Sequence, residues 1–227
     1  MIKARPFDFP YNGDFDPKRT AVLAIDMQID FMSPEGYFAR KGYDTSPLLA
    51  IVDPIKRLTD AARAAGCLII WTRQGYRADI ADATPYDRWR NQRAGITLRA
   101  GDPASLLRGS PGYDMVAELK PAPGDVVVDK TANGAFCQTD LEMILRAQGI
   151  THLLFTGCTT DVCVHTTLRE ANDRKFQCLL VEDACASCDA YAHTAAVHMV
   201  TVEDGVFGVV SNTAAVIQAM QRHSAAA

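Results

Sequence analysis

Three side chains with complementary chemistry stand where apolar runs end. Asp26 closes Ala21-Val22-Leu23-Ala24-Ile25, and Lys130 follows Val126-Val127-Val128-Asp129. Cys163 ends the stretch Gly157-Cys158-Thr159-Thr160-Asp161-Val162-Cys163, between the apolar run 151–156 and a helical pattern from Val164 to Arg174. A cysteine in the first turn of a helix meets unpaired N–H groups and the positive dipole end, which favour a thiolate. A carboxylate within hydrogen-bond reach can take the thiol proton, and an ammonium beside them stabilises both anions. The chemistry this allows is nucleophilic attack on a carbonyl. Each residue alone is a weak signal. A strand-end acid is more often a helix cap, a lysine there is usually solvated, and most helix-start cysteines are inert. Their coincidence at one edge of a sheet carries the weight.

That edge requires parallel strands, because ligands of open α/β sheets bind outside the carboxyl ends. Apolar runs predict strands at 21–25, 67–71, 125–129, 152–156, 177–181 and 206–210. Helical spacing predicts helices at 47–65, 139–148, 164–174, 191–201 and 212–222. The alternation gives a three-layer α/β/α fold with a six-stranded, mainly parallel sheet. It reads as a single domain over residues 1–227, with an irregular N-terminal arm at 1–19. Residues 74–118 form a long polar loop insertion, which at that length suggests function or an interface.

Composition narrows the classes. With 227 residues, 48% of them hydrophobic, the chain can bury a substantial core. A net charge of −4 without a basic run argues against nucleic acid. No apolar stretch approaches the roughly 18 residues of a membrane span, and the N-terminus lacks a signal peptide's apolar core, so the expected location is the cytoplasm. Seven cysteines, with Cys67 and Cys178 in apolar runs, do not make a disulfide framework. Cys185-Ala186-Ser187-Cys188 has redox or zinc spacing, but no second pair supports either use. His165 shares a helix with Cys163 at a spacing that turns the side chains apart, and His193 lies on another helix. Both rank below Asp26 as the base.

Several stretches together resemble the isochorismatase-like cysteine hydrolases. They are Ala24-Ile25-Asp26-Met27-Gln28 with Asp30-Phe31, Asp129-Lys130 with Phe136, the 157–163 stretch, and Thr166-Thr167-Leu168-Arg169-Glu170-Ala171. The resemblance implies sheet order 3-2-1-4-5-6, Asp26 as general base and acid, Lys130 as its charge partner and Cys163 as nucleophile. It implies an oxyanion hole from the N–H groups of Thr159 and Cys163, a cis Cys158–Thr159 peptide, and a homo-oligomer, tetramer or dimer, with Tyr11 and Trp89 as contacts. In this scheme Cys163 attacks an amide, Asp26 protonates the departing nitrogen, and an Asp26-activated water cleaves the thioester. Cys163→Ser is then expected to abolish turnover. Relatives that bind a catalytic metal carry histidines after the second strand. Residues 72–90 have none, so neither a metal nor another cofactor is expected.

Within the family, Pro10-Tyr11-Asn12-Gly13, 88–93, 169–174 and Gly205-Val206-Phe207-Gly208 are similar to biuret hydrolases. Two positions depart from that pattern: Asn133 replaces a lysine and Glu203 a glutamine, which shifts the pocket toward hydrogen-bond acceptors. The expected substrate is therefore a small urea-derived amide, triuret or biuret, bound by Phe31, Asn133, Phe136, Glu203 and Arg90. The alternatives are another ureido compound (ureidoacrylate or N-carbamoylsarcosine) and a catalytically dead binding protein on the same fold.

Overall fold

The computed structural model describes residues 1–100 and 106–226. Its sheet has six strands, β1 (Thr20–Ile25), β2 (Leu68–Gln74), β3 (Val126–Lys130), β4 (His152–Cys158), β5 (Gln177–Ala186) and β6 (Val209–Ser211). They lie in the order β3-β2-β1-β4-β5-β6, and every neighbouring pair is parallel. Class and strand order are those expected. The main helices are α1 (Val52–Ala65), α2 (Pro85–Arg93), α3 (Leu141–Ala147), α4 (His165–Asp173), α5 (Ala190–Val200) and α6 (Thr213–Ala226).

The central strand shows why the apolar runs are continuous. Side chains alternate across a strand, so Val22 and Ala24 enter one core layer with Ile55 and Leu58 of α1 and Val216 and Ala219 of α6. Ala21, Leu23 and Ile25 enter the other layer, with Leu141 and Leu145 of α3, Leu168 of α4 and Val200 of α5. Both faces of β1 are covered, and no polar alternation survives in the sequence.

Several elements differ from the sequence expectation. β2 runs on past Trp71 through Thr72, Arg73 and Gln74, because these pair with β1 and β3. β5 continues past Val181 to Ala186, pairing with Gly157 and Cys158 after a register shift. The expected helix at 47–65 is broken at Ile51 into Ser46–Ala50 and α1. Residues 206–208 are not strand. The arm adds an antiparallel bridge, Arg5 with Val210, to the edge of β6, and the Arg5 guanidinium pairs with Glu182 at 2.9 Å. It therefore docks on its own chain. The 74–118 segment contains α2, opened by a capping box between Thr84 and Asp87; its residues 101–105 lie outside the described residues.

At the amino end of β3 the buried Asp125 carboxylate accepts from Arg63 (2.8 and 3.2 Å), Trp71 Nε1 (2.9 Å) and the Ala122 N–H (3.0 Å). Burial alone would raise its pKa, but these donors outweigh burial and hold it below the usual carboxylate range. A carboxylate with a depressed folded-state pKa contributes stability above its unfolded pKa and loses it as pH falls through the folded value. Asp125→Ala is expected to destabilise the fold by about 2–3 kcal/mol at neutral pH, with the difference shrinking in acid. Urea midpoints at neutral and acidic pH check both statements.

Candidate active site

β2 lies between β1 and β3, so Asp26 at the end of β1 and Lys130 at the end of β3 meet across it. Lys130 Nζ is 2.8 Å from Asp26 Oδ2, and both side chains are fully buried. The ammonium also reaches Gln74 Oε1 at 2.6 Å and the carbonyls of Ala132 (3.1 Å) and Asn133 (3.0 Å). An ammonium has three protons, and these three acceptors occupy them. Asp26 Oδ2 accordingly sits at ion-pair distance but takes no aligned hydrogen bond. Its lone pairs stay open for another proton. Oδ1 is occupied, accepting from the Thr72 hydroxyl at 2.6 Å. Burial alone would depress the Lys130 pKa, but Asp26 and then Cys163 raise it on balance.

Cys163 faces this pair, with its thiol interacting with both Asp26 and Lys130. It sits in a π turn, Thr160–Val164, that leads into α4, with the Val164 N–H closing onto the Thr159 carbonyl at 3.1 Å. A helix-start dipole on its own would favour a thiolate. Burial dominates instead. It pushes the thiol pKa up to about 12, with Lys130 pulling down and Asp26 pushing further up. The resting thiol thus keeps its proton, and Asp26 is the carboxylate beside it. The Cys158–Thr159 peptide is cis. Among the described residues no acceptor takes the Thr159 N–H, which leaves it free for a developing oxyanion. The motif after Cys163 anchors the neighbouring loop: Thr167 Oγ1 donates to the Cys163 carbonyl (2.6 Å) and accepts from the Ala135 N–H (3.1 Å), while Glu170 accepts from the Phe136 N–H at 3.3 Å.

Cys163 and Thr159 open into a cavity of about 360 Å³. Phe31, Asn133 and Arg90 line it as expected. Two expected substrate contacts do not. Phe136 is core, its ring 6.0 Å from that of Phe176 and beneath the Arg174 guanidinium at 4.8 Å. Glu203 follows α5, which starts at the carboxyl edge and runs back across the sheet. It therefore lies at the amino edge, exposed, in a turn with φ 50°. Cys188 lines the cavity and Cys185 is core.

Sequence reasoning missed Lys41, Tyr37, Tyr43, Tyr76 and Gln74 in the cavity wall. Lys41 Nζ lies over the Tyr37 ring at 4.9 Å and the Tyr43 ring at 5.9 Å. Burial and then the Arg90 charge lower its pKa. Neither Lys41 nor Arg90 has a carboxylate within ion-pair distance among the described residues, although Asp161 and Asp189 line the same cavity. No signal in the segment 32–45 marked it as part of a site.

Comparison with known proteins gives consistent matches. A family model described as the isochorismatase domain matches residues 20–215. The ureidoacrylate amidohydrolase RutB of Caulobacter segnis is 36% identical over 220 residues, covering 94% of this chain and 89% of that protein. Its counterpart from Caulobacter vibrioides is 37% identical over 189 residues, 81% of this chain and 82% of that one. Among solved structures, a cysteine hydrolase from Pseudomonas syringae pv. phaseolicola superposes with a TM-score of 0.80 at 30% identity, covering 92% of this chain and 95% of that one. N-carbamoylsarcosine amidase from Thermoplasma acidophilum shares the fold, with a TM-score of 0.66 at 24% identity over 86% of this chain and 96% of that one.

Proposed function

We propose that this chain, which belongs to the isochorismatase family of hydrolases, is a cysteine amidohydrolase that cleaves a ureido acid of the ureidoacrylate type. The observation that carries the substrate reading is that Lys41 and Arg90 line the same cavity as Cys163 with no direct ion pair to a carboxylate among the described residues. A carboxylate on the substrate can pair with them directly. The 36% identity to a ureidoacrylate amidohydrolase supports the same choice. The expectation of triuret or biuret rests on the stretches similar to biuret hydrolases and on the departures Asn133 and Glu203. Asn133 lines the cavity, whereas Glu203 is not among the lining residues, and a neutral urea oligomer forms no ion pair with Lys41 or Arg90.

The proposed reaction uses the site's groups in turn. Asp26 Oδ2 takes the Cys163 proton as sulfur attacks the carbamoyl carbon, and the oxyanion forms at the Thr159 and Cys163 N–H groups. The C–N bond breaks as Asp26 returns the proton to the departing amine, leaving S-carbamoyl-cysteine. Water, deprotonated by Asp26, then attacks the same carbon, and carbamate leaves as the thiol is re-formed. Lys130 keeps its proton throughout and holds Asp26 in place.

Release of ammonia, whether as the leaving group or from carbamate, from ureidoacrylate, N-carbamoylsarcosine, biuret, triuret and nicotinamide tests the reading. The ureido acids are expected to turn over best. Arg90→Gln and Lys41→Met should each raise KM for ureidoacrylate about 10- to 100-fold, the worth of a charge-assisted hydrogen bond, and change KM for biuret little. Preference for biuret or triuret, or an unmoved KM, removes the ureido-acid assignment. No helix among the described residues is long and apolar enough to cross a membrane. The reading takes the protein as a cytoplasmic homo-oligomer. The exposed Tyr11, Tyr86 and Trp89 support this, and sedimentation velocity would test it.

A further inference from the structure

We infer that Thr72 is a positioning residue for the base, fixing which oxygen of Asp26 moves the proton. Thr72 lies on β2, directly opposite Ile25 in the parallel register. It is fully buried and does not line the cavity. Its hydroxyl donates to Asp26 Oδ1 at 2.6 Å, while its oxygen lies 3.2 Å from the Asp26 N–H, which also reaches the Thr72 carbonyl at 3.2 Å. One threonine therefore grips both the backbone and the carboxylate of its neighbour. The grip is needed, because Asp26 has φ 54°, a left-handed conformation that a residue with a side chain adopts at a cost.

The consequence is chemical. With Oδ1 engaged by Thr72, Oδ2 is the oxygen left without an aligned donor. Lys130 directs its protons to Gln74 and two carbonyls. Oδ2 thus keeps the ion pair's charge without giving up its lone pairs. The titratable groups packed around Asp26 are Lys130 from β3, Cys163 from the π turn, and Cys158 from β4, whose thiol donates to the Asp26 carbonyl at 3.2 Å. The hydroxyl of Thr72 is the one aligned side-chain donor to Oδ1 among the described residues. A donor to a carboxylate favours the anion. Losing it both frees the carboxylate to rotate and weakens the form that accepts the proton.

This inference rests on the hydrolase reading, so its test has one arm that needs no substrate. Thr72→Val keeps shape and removes the hydroxyl. It is expected to lower kcat on ureidoacrylate about 10- to 100-fold, the cost of a misplaced catalytic group, with KM within a few-fold. The acid limb of the kcat/KM profile should move to higher pH by about one unit, one charge-assisted hydrogen bond expressed as a pKa difference. Alkylation of Cys163 by iodoacetamide, located by mass spectrometry, uses the same sulfur and base, and its acid limb should move the same way. Thr72→Ser, which keeps the hydroxyl, should recover most of both losses, and Thr72→Ala replaces the valine variant if that one fails to fold. If no amide is turned over by the wild type but the alkylation limb still moves, Thr72 keeps its role and the substrate reading falls. Unmoved limbs in the valine variant, or a serine variant as impaired as valine, overturn the inference.

Discussion

Asp26→Asn is expected to lower kcat a thousandfold or more, within the range for removing a general acid–base group. With the Cys163 thiol pushed up to about 12 by burial, the thiolate fraction at pH 7 is on the order of 10⁻⁵ without a partner to take the proton. Asparagine can neither accept that proton nor return it to the departing nitrogen. The substitution also strands Lys130, whose side chain is fully buried and whose charge Asp26 sustains against desolvation. Breaking such a pair costs about 3–5 kcal/mol, so the melting temperature should fall with the activity. The two effects separate in the double variant Asp26→Asn/Lys130→Met. Without a buried charge, stability should recover while turnover does not. A kcat within tenfold of wild type in Asp26→Asn would move the base elsewhere.

The class of the fold is legible because the strands that carry it are buried on both faces and read as unbroken apolar runs. The site is legible where its residues sit at the ends of those runs, as Asp26, Lys130 and Cys163 do. Legibility fails one or two residues further on. The apolar pattern ends β2 at Trp71 because Thr72, Arg73 and Gln74 are polar, yet they continue the ladder to β3. Those polar ends brace the buried ion pair, with Thr72 on Asp26 and Gln74 on Lys130. The same logic shortens β5 at Glu182 and Asp183. Glu182 is polar because it receives Arg5, and Asp183 because it holds the N–H and hydroxyl of Thr213 at the start of α6. Strand polarity at a functional edge reads as termination when partners 46 to 56 residues away are invisible. Phe136 and Glu203 fail differently. Both are assigned by similarity of sequence position, which does not say whether a side chain turns to the cavity or the core. α2 escapes because it buries only Asn91 and has no apolar face to show, although its capping box, Thr84 to Asp87 with Pro85 between, is present in the letters.

Gly157→Ala should destabilise the fold and displace the active-site edge of the sheet. Gly157 stands opposite Ile25 in the β1–β4 register, with φ 110°. A Cβ placed there would lie 2.1 Å from the Ile25 carbonyl oxygen and 2.6 Å from its nitrogen. Those are backbone atoms of the central strand, buried on both faces, so neither can move aside as a side-chain tip would. Overpacking costs about 1–3 kcal/mol, and a left-handed non-glycine residue adds about 1–2 kcal/mol. A loss of about 3 kcal/mol corresponds to a melting temperature roughly 6–12 °C lower in a chain of this length. Gly149→Ala supplies the comparison, because Gly149 also has positive φ, 66°, but a Cβ added there would meet nothing within 4 Å. That variant should lose only the backbone share, about 1 kcal/mol. The difference between the two isolates the contact with Ile25. Relief of that contact must shift Ile25 or the turn that follows Gly157, and Asp26 and Thr159 are one and two residues beyond those points. Any Gly157→Ala protein that remains folded should therefore show kcat reduced well beyond its loss of stability. A variant that melts with the Gly149→Ala control and turns over normally would mean that β1 and β4 can separate at this edge without disturbing the base or the oxyanion donor.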